Sequence, residues 1–434
     1  MRKLCSILFL FVSVHLSAQK QELLTYRQVV ELALKNNFDI QIASNNTVIA
    51  ATQNTYGNAG FLPKVDLNAS TNFANNNTLQ EFSSGLSVNQ NNVASTNNSA
   101  GVYLSWTVFD GLKMFATKER LNLLQQQGEL SFKIQLENTL EVLTLLYYQI
   151  VKQDQLMKGI QAAMDVSNER IRVANLRITV GSGSNVELLS AKLDLNAQRS
   201  NYITQKNALN EFKSQLLVVS GEETERNFSV DTFFVFDGIQ SMNEIKEKID
   251  KDNYAILFAR KDILINQQQI KEIRAQNLPR VAINSSYLFG RSKNAAGFSL
   301  LNQNLGFNAG FSINWNLFNG FITRNEIKVS EIRLKNAFLS VDNTRLNLFS
   351  VASVAYIRWL GDKEIADLEE ENIKLAEESL FITSERLKLG LGNFLEIKES
   401  QRSYEEAVTR LVTARYNLKV SETTLKKLTG ELVR

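Results

Sequence analysis

A seven-residue segment occurs twice in this chain, at a separation of 209 residues. The first copy, residues 105–111, reads SWTVFDG, and the second copy, residues 314–320, reads NWNLFNG. The same separation relates further pairs: Arg177 and Arg386, Gly181 and Gly390, Gly183 and Gly392, Glu187 and Glu396. One separation that holds from residue 105 to residue 222 indicates an internal duplication. The chain is therefore expected to consist of two copies of one structural unit.

The residues around each segment predict a β-strand that leads directly into a long helix. Apolar and polar residues alternate up to an Asx-Gly pair, and a long stretch without proline follows. The only two prolines, Pro63 and Pro279, lie in matching Leu-Pro-Lys/Arg-Val contexts. Because proline disrupts helix interiors, this scarcity predicts a chain that is mainly α-helical.

Each copy is predicted to contain a helix, a β-hairpin, a long helix and a returning helix. In the first copy, residues 19–221, these are a hairpin at 62–109, a long helix at 112–180 and a returning helix at 185–220. In the second copy, residues 244–434, they are a hairpin at 278–318, a long helix at 321–389 and a returning helix at 394–429. Residues 222–243 form an equatorial linker between the copies, with Phe233–Phe236 as a candidate for a short strand.

Two details of the helices follow from local patterns. Thr25 and Gln28 have the spacing of a capping box, which starts a first helix expected to run unbroken towards Gly57 and Gly60. At the far ends of the long helices, glycines predict left-handed caps and sharp reversals; they are Gly181, Gly183, Gly390 and Gly392. Heptads in the returning helices favour closely packed helices in an array, with an ordinary two-helix coiled coil as the alternative.

Residues 1–18 have the pattern of a secretory signal peptide, and their apolar run is shorter than the roughly 20 residues that span a bilayer. The only cysteine, Cys5, and the only histidine, His15, lie within them. The mature chain would therefore have no thiol and no imidazole, which excludes disulfides, thiolate metal sites and histidine-dependent catalysis. We predict no catalytic residue, no metal site and no cofactor.

The charge of the mature chain argues against a nucleic-acid partner. With Arg2 and Lys3 removed from the 48 Lys and Arg, 46 remain against 45 Asp and Glu. The chain also shows no cluster of basic residues of the kind that binds phosphate backbones.

The returning strand of each hairpin has the pattern of a membrane-spanning β-strand. Successive side chains of a strand face opposite ways, so residues 307–317 place an apolar set on one face and polar or small residues on the other. A length of about 10 residues with an aromatic near the end is typical of such strands. The residues predicted to face lipid are Leu104, Trp106, Phe311, Ile313 and Trp315.

A half-buried strand of a soluble sheet is the alternative interpretation of this pattern. The export signal favours the membrane, and so does the Asn- and Ser-rich stretch 75–98, which is expected to be a long exposed loop. Spanning strands must close into a ring, and the smallest barrels have about 8 strands. Four strands per chain are too few, so several chains are expected to share one barrel.

The order of elements, repeated once, resembles the TolC-like outer-membrane efflux family over essentially the whole mature chain. The residues that carry the resemblance are the Leu-Pro-Lys/Arg-Val strand starts, the two Trp-x-x-Phe-Asx-Gly junctions, Arg177 and Arg386 before the glycine turns, and the Ser/Thr-Gly-Glu ends of both copies. The resemblance implies a homotrimer with a shared twelve-stranded β-barrel in the outer membrane and an α-barrel tunnel in the periplasm. Such a passive duct exports small molecules or proteins, catalyses nothing, and joins an inner-membrane pump through a periplasmic adaptor.

The resemblance also implies roles for residues near the helix reversals. Glu187, Glu396 and Glu399 correspond to acidic residues that ring the periplasmic entrance; the alternative is three solvated carboxylates near helix N-termini, where acidic residues are common. The glycine turns correspond to the tips that dock an adaptor. Some members hold the entrance shut with an Arg and a Tyr, but Gly392 and Leu387 stand at those positions here, so the same closing bonds cannot form.

A second function class remains open, namely a periplasmic coiled-coil scaffold or adaptor-like protein without a pore. An adaptor would need a compact β-rich module beside its helical hairpin, and an adhesin would need one continuous coil. Neither fits two strand hairpins in a duplicated chain. An enzyme is a third, weaker candidate because no motif gathers the remaining reactive side chains into a site.

Overall fold

The computed structural model describes residues 22–223, 226–296 and 299–433, so the signal peptide expected at 1–18, with Cys5 and His15, lies outside the described residues. The chain divides into two compact units, each with segments from both copies. The first unit comprises the chain up to Phe38, Thr139–Ile239 and Ala355–Thr424. The second unit comprises Asp39–Asn138, Gln240–Val354 and the chain from Leu425 onwards.

The helices and strands recur in the same order in both copies. The first copy forms β1 (Glu22–Leu24), α1 (Tyr26–Asn36), α2 (Phe38–Gln53), β2 (Lys64–Glu81), β3 (Ser87–Phe109), α3 (Lys113–Thr179) and α4 (Asn185–Val219). Strand β4 (Phe228–Val230) follows, and the second copy forms α5 (Met242–Asp252), α6 (Tyr254–Arg274), β5 (Arg280–Asn294), β6 (Leu301–Asn314), α7 (Ile322–Lys388) and α8 (Phe394–Leu428). The two long helices have 67 residues each and the two returning helices 35 each, as a duplication requires.

Strands β2, β3, β5 and β6 form one antiparallel sheet in that order, within the second unit. Among the described strands, β2 and β6 each have a single neighbour, so they are the edges of the sheet.

The expected loop at residues 75–98 is wrong, because β2 and β3 run through it and turn only at residues 82–86. The turn is closed by a hydrogen bond from the Phe82 N–H to the Leu86 carbonyl, 2.8 Å long. Polar side chains pair across the strands below it: the hydroxyls of Ser70 and Ser99 lie 2.7 Å apart, and that of Thr71 donates to Asn98. The polar composition of residues 75–98 therefore suggested a loop, although most of these residues form paired, solvent-exposed strands.

The expected strand through Trp315 and Leu317 is also too long, because β6 ends at Asn314. Asn314 pairs with Arg280, and the next partner in that register would be Pro279. Proline has no N–H to donate, so the ladder stops there. In the first copy β3 continues to Phe109 because β5 pairs with it on its other side, as Phe109 with Val281.

The first helix of each copy is broken, in contrast to the single helix expected. Its capping box at Thr25 and Gln28 is present, but the helix ends at Asn36, and the backbone of the next residue, Asn37, is extended. Asn253 interrupts the second copy in the same way. Each asparagine reaches the last turn of the returning helix of its own copy: the Asn37 side-chain amide donates to the Val219 carbonyl at 2.8 Å and that of Asn253 to the Leu428 carbonyl at 3.0 Å.

In the linker, the short strand is not Phe233–Phe236 but β4, which pairs in parallel with β1. The difference follows from burial, because Phe228 and Val230 are buried while Phe233 and Val235 are exposed. Phe234 stacks on Tyr148 at a ring distance of 5.5 Å, which holds this stretch in place without a strand partner.

Candidate functional site

The long helices end in matching reversals, both in the first unit. Gly181 and Gly390 have φ angles of 77° and 78°, a left-handed conformation that glycine adopts without steric cost. The Gly181 N–H donates to Ile178 and the next N–H to Arg177, at 3.0 and 2.9 Å, and the second reversal repeats both bonds. These are the bonds of a Schellman motif, as the sequence predicted.

The left-handed backbone expected at Gly183 and Gly392 is not present, because only the first glycine of each reversal has a positive φ. The second glycine instead lies against the helix that it leaves. A Cβ at Gly183 would lie 2.6 Å from the backbone nitrogen of Ile178, closer than real contacts allow. At Gly392 the corresponding distance, to the nitrogen of Leu387, is 3.1 Å. Both positions therefore favour glycine, and Gly183 has less space for a side chain than Gly392.

Each reversal passes directly into a capped helix with an acidic residue in its first turn. Ser184 caps α4 by accepting from the Val186 N–H at 3.2 Å. Asn393 caps α8 by accepting from the N–H groups of Leu395 and Glu396, at 2.9 and 2.8 Å. Glu187 and Glu396 thus lie in the first turns of α4 and α8, where the helix dipole stabilises negative charge.

The three candidate entrance residues are not joined within one chain. In the described ranges no hydrogen bond or ion pair links Glu187, Glu396 and Glu399. Glu396 receives a hydrogen bond from the Asn393 side chain and lies 3.9 Å from the Arg386 guanidinium, both groups being about half exposed. An exposed pair of this kind contributes little energy, and the Glu396 side chain remains accessible to solvent.

The polar and apolar faces of the sheet are separated as expected. Trp106, Ile283 and Phe311 lie side by side across β3, β5 and β6, and each is exposed. Phe311 and Ile313 expose 76% and 63% of their surface. Leu104 lies on β3 opposite Val65 and is half-buried. An apolar face of this width without cover is typical of a surface that meets lipid or another protein.

The two tryptophans mark the end of the sheet where the strands meet the helices. The Trp106 indole N–H donates to the Phe61 carbonyl at 2.8 Å, and that of Trp315 to the Asn277 carbonyl at 3.0 Å. Trp315 therefore lies just beyond β6 rather than in it. Tryptophan with a satisfied N–H and an exposed ring is enriched at membrane interfaces.

Known proteins were compared with the sequence and the fold. A family model described as outer membrane efflux protein matches residues 29–222 and 249–431, one stretch for each copy.

The chain belongs to the outer membrane efflux protein family.

Individual relatives agree with this assignment. Outer membrane protein TolC of Escherichia coli (strain K12) is 19% identical over 355 residues, which cover 79% of this chain and 71% of TolC. The CmeC outer membrane channel of Campylobacter jejuni has the same fold, with a TM-score of 0.77, 18% identity, and coverage of 94% of this chain and 85% of CmeC. The outer membrane protein VceC of Vibrio cholerae has a TM-score of 0.75 at 15% identity, over 93% of this chain and 96% of VceC.

Membership sets the location and the general activity of the protein. It is an outer-membrane efflux channel whose fold extends into the periplasm, in a family of channel-forming proteins rather than enzymes. None of the helices in the described residues combines the length and the apolar character needed to cross a bilayer.

In this efflux protein, Arg177, which the sequence did not predict to be a site residue, links the two reversals. The Arg177 guanidinium donates to the Gly392 carbonyl at 3.3 Å and lies over the Phe394 ring at 5.4 Å. Leu387 is fully buried in a cluster with Val173 and Ile397. The position where some members carry a closing Tyr is therefore part of the core here. Arg386, the equivalent of Arg177 in the second copy, instead donates to the Leu391 carbonyl of its own reversal at 3.5 Å, so the recurrence of the arginine did not predict this contact.

A second buried group lies between α3, α4 and α8. Arg170, only 1% exposed, donates to Asp194 and to Gln401, at 3.0 and 3.1 Å. Gln401 and Gln198 in turn donate to Glu405, at 3.2 and 2.7 Å. Burial raises the pKa of the Glu405 carboxyl above its ordinary value, although the two amides oppose the shift. No pattern in the sequence pointed to this network.

Proposed function

We propose that three copies of this efflux channel close a twelve-stranded barrel in the outer membrane and a helical tunnel in the periplasm. The observation that carries the proposal is the four-stranded sheet with one exposed apolar face and two free edges, β2 and β6. A bilayer offers no water to satisfy such edges, so they must pair with other chains. Three copies give twelve strands, within the known range of outer-membrane barrels.

The proposed channel acts as a passive duct for small molecules or proteins. An inner-membrane pump supplies the energy, and a periplasmic adaptor connects the pump to the duct. A periplasmic scaffold without a pore would leave the apolar face of this antiparallel sheet exposed to water, which is unfavourable. The duct therefore explains both the sheet and the long paired helices.

The oligomer and the pore are tested together on the purified mature protein. We expect a detergent-extracted trimer by light scattering and discrete conductance steps when it is added to planar lipid bilayers. A water-soluble monomer that leaves the bilayer conductance unchanged would overturn the proposal.

We further propose that Glu187, Glu396 and Glu399 line the periplasmic entrance. The proposal is supported by their positions, because Glu187 and Glu396 lie in the first turns of α4 and α8 and Glu399 follows in α8. In the described ranges, the one ion pair formed by these carboxylates is the exposed 3.9 Å pair of Glu396 with Arg386. Three copies of each would form a ring of negative charge that favours cations.

The entrance assignment is tested by charge removal. Glu396→Gln combined with Glu399→Gln should lower the cation-to-anion permeability ratio of single channels in a salt gradient. Glu247→Gln, which removes an exposed carboxylate of α5, should leave the ratio unchanged. An unchanged ratio in the double variant would remove this assignment.

The reversals at Gly181–Gly183 and Gly390–Gly392 are proposed as the adaptor docking tips. Ser182 and Leu391, one in each reversal, are both exposed. A photo-crosslinking side chain at either position should capture the adaptor in intact cells, whereas one at Lys246 should not. Capture at Lys246 alone would place the adaptor elsewhere.

A further inference from the structure

A groove of 460 Å³ lies beside the junction of β3 and α3, entirely within the second unit. Three large apolar side chains line it, and each is exposed although it adjoins the end of the sheet; they are Leu112, Phe115 and Leu278. Polar residues at its rim include Lys271 and Glu119. The groove therefore combines an uncovered apolar floor with charges of both signs.

Contacts place the groove on the apolar side of the sheet. Trp106, which belongs to the exposed apolar row, donates to the Phe61 carbonyl, and the Phe61 ring packs edge-on against Phe115 at 5.0 Å. The polar face of the sheet has a different pocket, lined by residues such as Thr107 and Asn314. If the apolar face meets lipid, the groove lies at the level where acyl chains give way to headgroups.

The rim charges are available to a ligand. Within the described ranges neither Lys271 nor Glu119 has an ion-pair or hydrogen-bond partner. The other cation at the groove, Arg274, is already paired with Glu331 at 2.9 Å. One free ammonium and one free carboxylate beside an apolar floor match a lipid that carries a phosphate, an amine and acyl chains.

The backbone is strained at Leu112, which lines the groove. Leu112 has a φ of 67°, and Phe321, its equivalent in the second copy, has a φ of 64°. A bulky residue in this left-handed conformation is strained. In both copies the strained residue exposes more than half of its apolar side chain, at 58% and 57%. Contact with a lipid chain would remove these apolar side chains from water, which is favourable.

We propose that the groove binds a zwitterionic aminophospholipid. The phosphate contacts Lys271, the headgroup ammonium contacts Glu119, and an acyl chain covers Leu112, Phe115 and Leu278. The proposal rests on the proposed placement of the apolar face in the outer membrane.

Native mass spectrometry of the full-length protein, purified in detergent, tests the site. Phosphatidylethanolamine and phosphatidylglycerol with identical acyl chains are added in turn, and phosphorylethanolamine reports on the headgroup alone. We expect bound phosphatidylethanolamine to exceed phosphatidylglycerol, and phosphorylethanolamine to bind poorly because it lacks the acyl chains. A charge-assisted contact corresponds to a loss of roughly three- to tenfold in affinity when it is removed.

The two charges should respond differently. Lys271→Gln should lower the retention of both lipids, whereas Glu119→Gln should lower phosphatidylethanolamine selectively. The matched controls are Lys246→Gln and Glu247→Gln on α5, which are exposed and should change nothing. Equal retention in all variants, or an equal loss in the controls, would overturn the proposal.

A third variant separates lipid contact from a structural role. Asparagine tolerates a left-handed backbone, so Leu112→Asn should relieve strain while it removes the apolar contact. We expect lower lipid retention with unchanged or higher thermal stability; loss of both would indicate a structural residue and count against the site. A trimer that conducts but retains no phospholipid would refute this inference alone, whereas a non-conducting monomer would refute the proposed function.

Discussion

Gly183 and Gly392 occupy equivalent positions in the two reversals, but they have different amounts of space. A Cβ at Gly183 would meet backbone atoms at 2.6 and 2.7 Å, and one at Gly392 would meet its nearest atom at 3.1 Å. We expect Gly183→Ala to lower the unfolding temperature more than Gly392→Ala does. Gly181→Ala, with open space around a left-handed backbone, should cost about 1–2 kcal/mol. Circular dichroism during heating provides the comparison, and equal shifts at Gly183 and Gly392 would contradict the packing argument.

Glu405 should make the stability of the protein depend on pH. Burial raises its pKa in the folded state, and nearby Asp194 adds to the shift, while Gln198, Gln401 and Arg170 oppose it. A raised carboxyl pKa means that the folded state holds the proton more tightly than the unfolded state. The resulting stabilisation is complete below the unfolded pKa and disappears as the pH rises through the folded pKa.

Glu405→Gln keeps a hydrogen-bond acceptor but cannot ionise. We expect the variant to be more stable than the wild type above the raised pKa, and its unfolding temperature to vary less between about pH 4 and pH 8. Glu371→Gln, at an exposed position of α7, is the control and should retain the pH profile of the wild type. Identical profiles for Glu405→Gln and the wild type would show that this carboxyl has no unusual pKa.

The duplication predicted some residues of the site and could not predict others. Gly181 and Gly390 recur at a constant separation, so their caps were visible in the sequence. Arg170 and Gln401 do not recur, since Ser379 and Lys192 stand at the equivalent positions. Their network joins three helices from two copies, and only the tertiary packing brings them together.

At the scale of the elements, both copies break their first helix at a buried asparagine. Asn253 caps α6 through its carbonyl oxygen, which accepts from the Ala255 N–H at 3.0 Å, while its amide donates to Leu428. Losing a cap costs about 1 kcal/mol, and a buried carbonyl left without a donor costs about 1–3 kcal/mol. We therefore expect Asn253→Ala to destabilise the protein by about 2–4 kcal/mol.

The equivalent asparagine of the first copy, Asn37, allows a test of whether the side-chain hydrogen bond stabilises the helix break. Its amide donates to Val219 at 2.8 Å, so Asn37→Ala should also lower the free energy of unfolding in urea. Asn46→Ala, within α2, is the control, because a mid-helix asparagine has no such role and alanine is the better helix former. A stable Asn37→Ala variant would mean that the helix break persists without its side chain.

The helix breaks and the strand ends could not be predicted from the local sequence pattern, because their causes lie in other parts of the chain. The sequence on either side of Asn37 favours helix, and a carbonyl from α4 provides the competing bond. Strand β6 stops at Asn314 because Pro279 stands at the next position of its partner strand. In contrast, the 67-residue length of α3 and α7 needed only the absence of proline and the glycines that follow.

At the scale of the whole molecule, the order of elements was predictable because one unit was copied. Because each hairpin and each reversal occurs twice, residues that recur in both copies can be distinguished from residues that occur in only one. The division into two compact units was not predicted, since each unit takes segments of both copies and the long helices contribute to each. Sequence repeats and compact units are therefore different divisions of this chain.

The orientation of the sheet in the membrane is testable with one charge placed on either face. Phe307 lies on the exposed apolar face, in the middle of β6, and Asn308 lies next to it on the polar face. A lysine on the lipid face near the bilayer midplane costs about 2–4 kcal/mol, whereas the lumen tolerates charge. Phe307→Lys should sharply reduce the amount of folded oligomer in the outer membrane, and Asn308→Lys should insert normally and alter ion selectivity. The amount is measured as heat-modifiable oligomer in the membrane fraction. Equal insertion of the two variants would mean that the apolar face of this sheet does not meet lipid, which would contradict the proposed barrel.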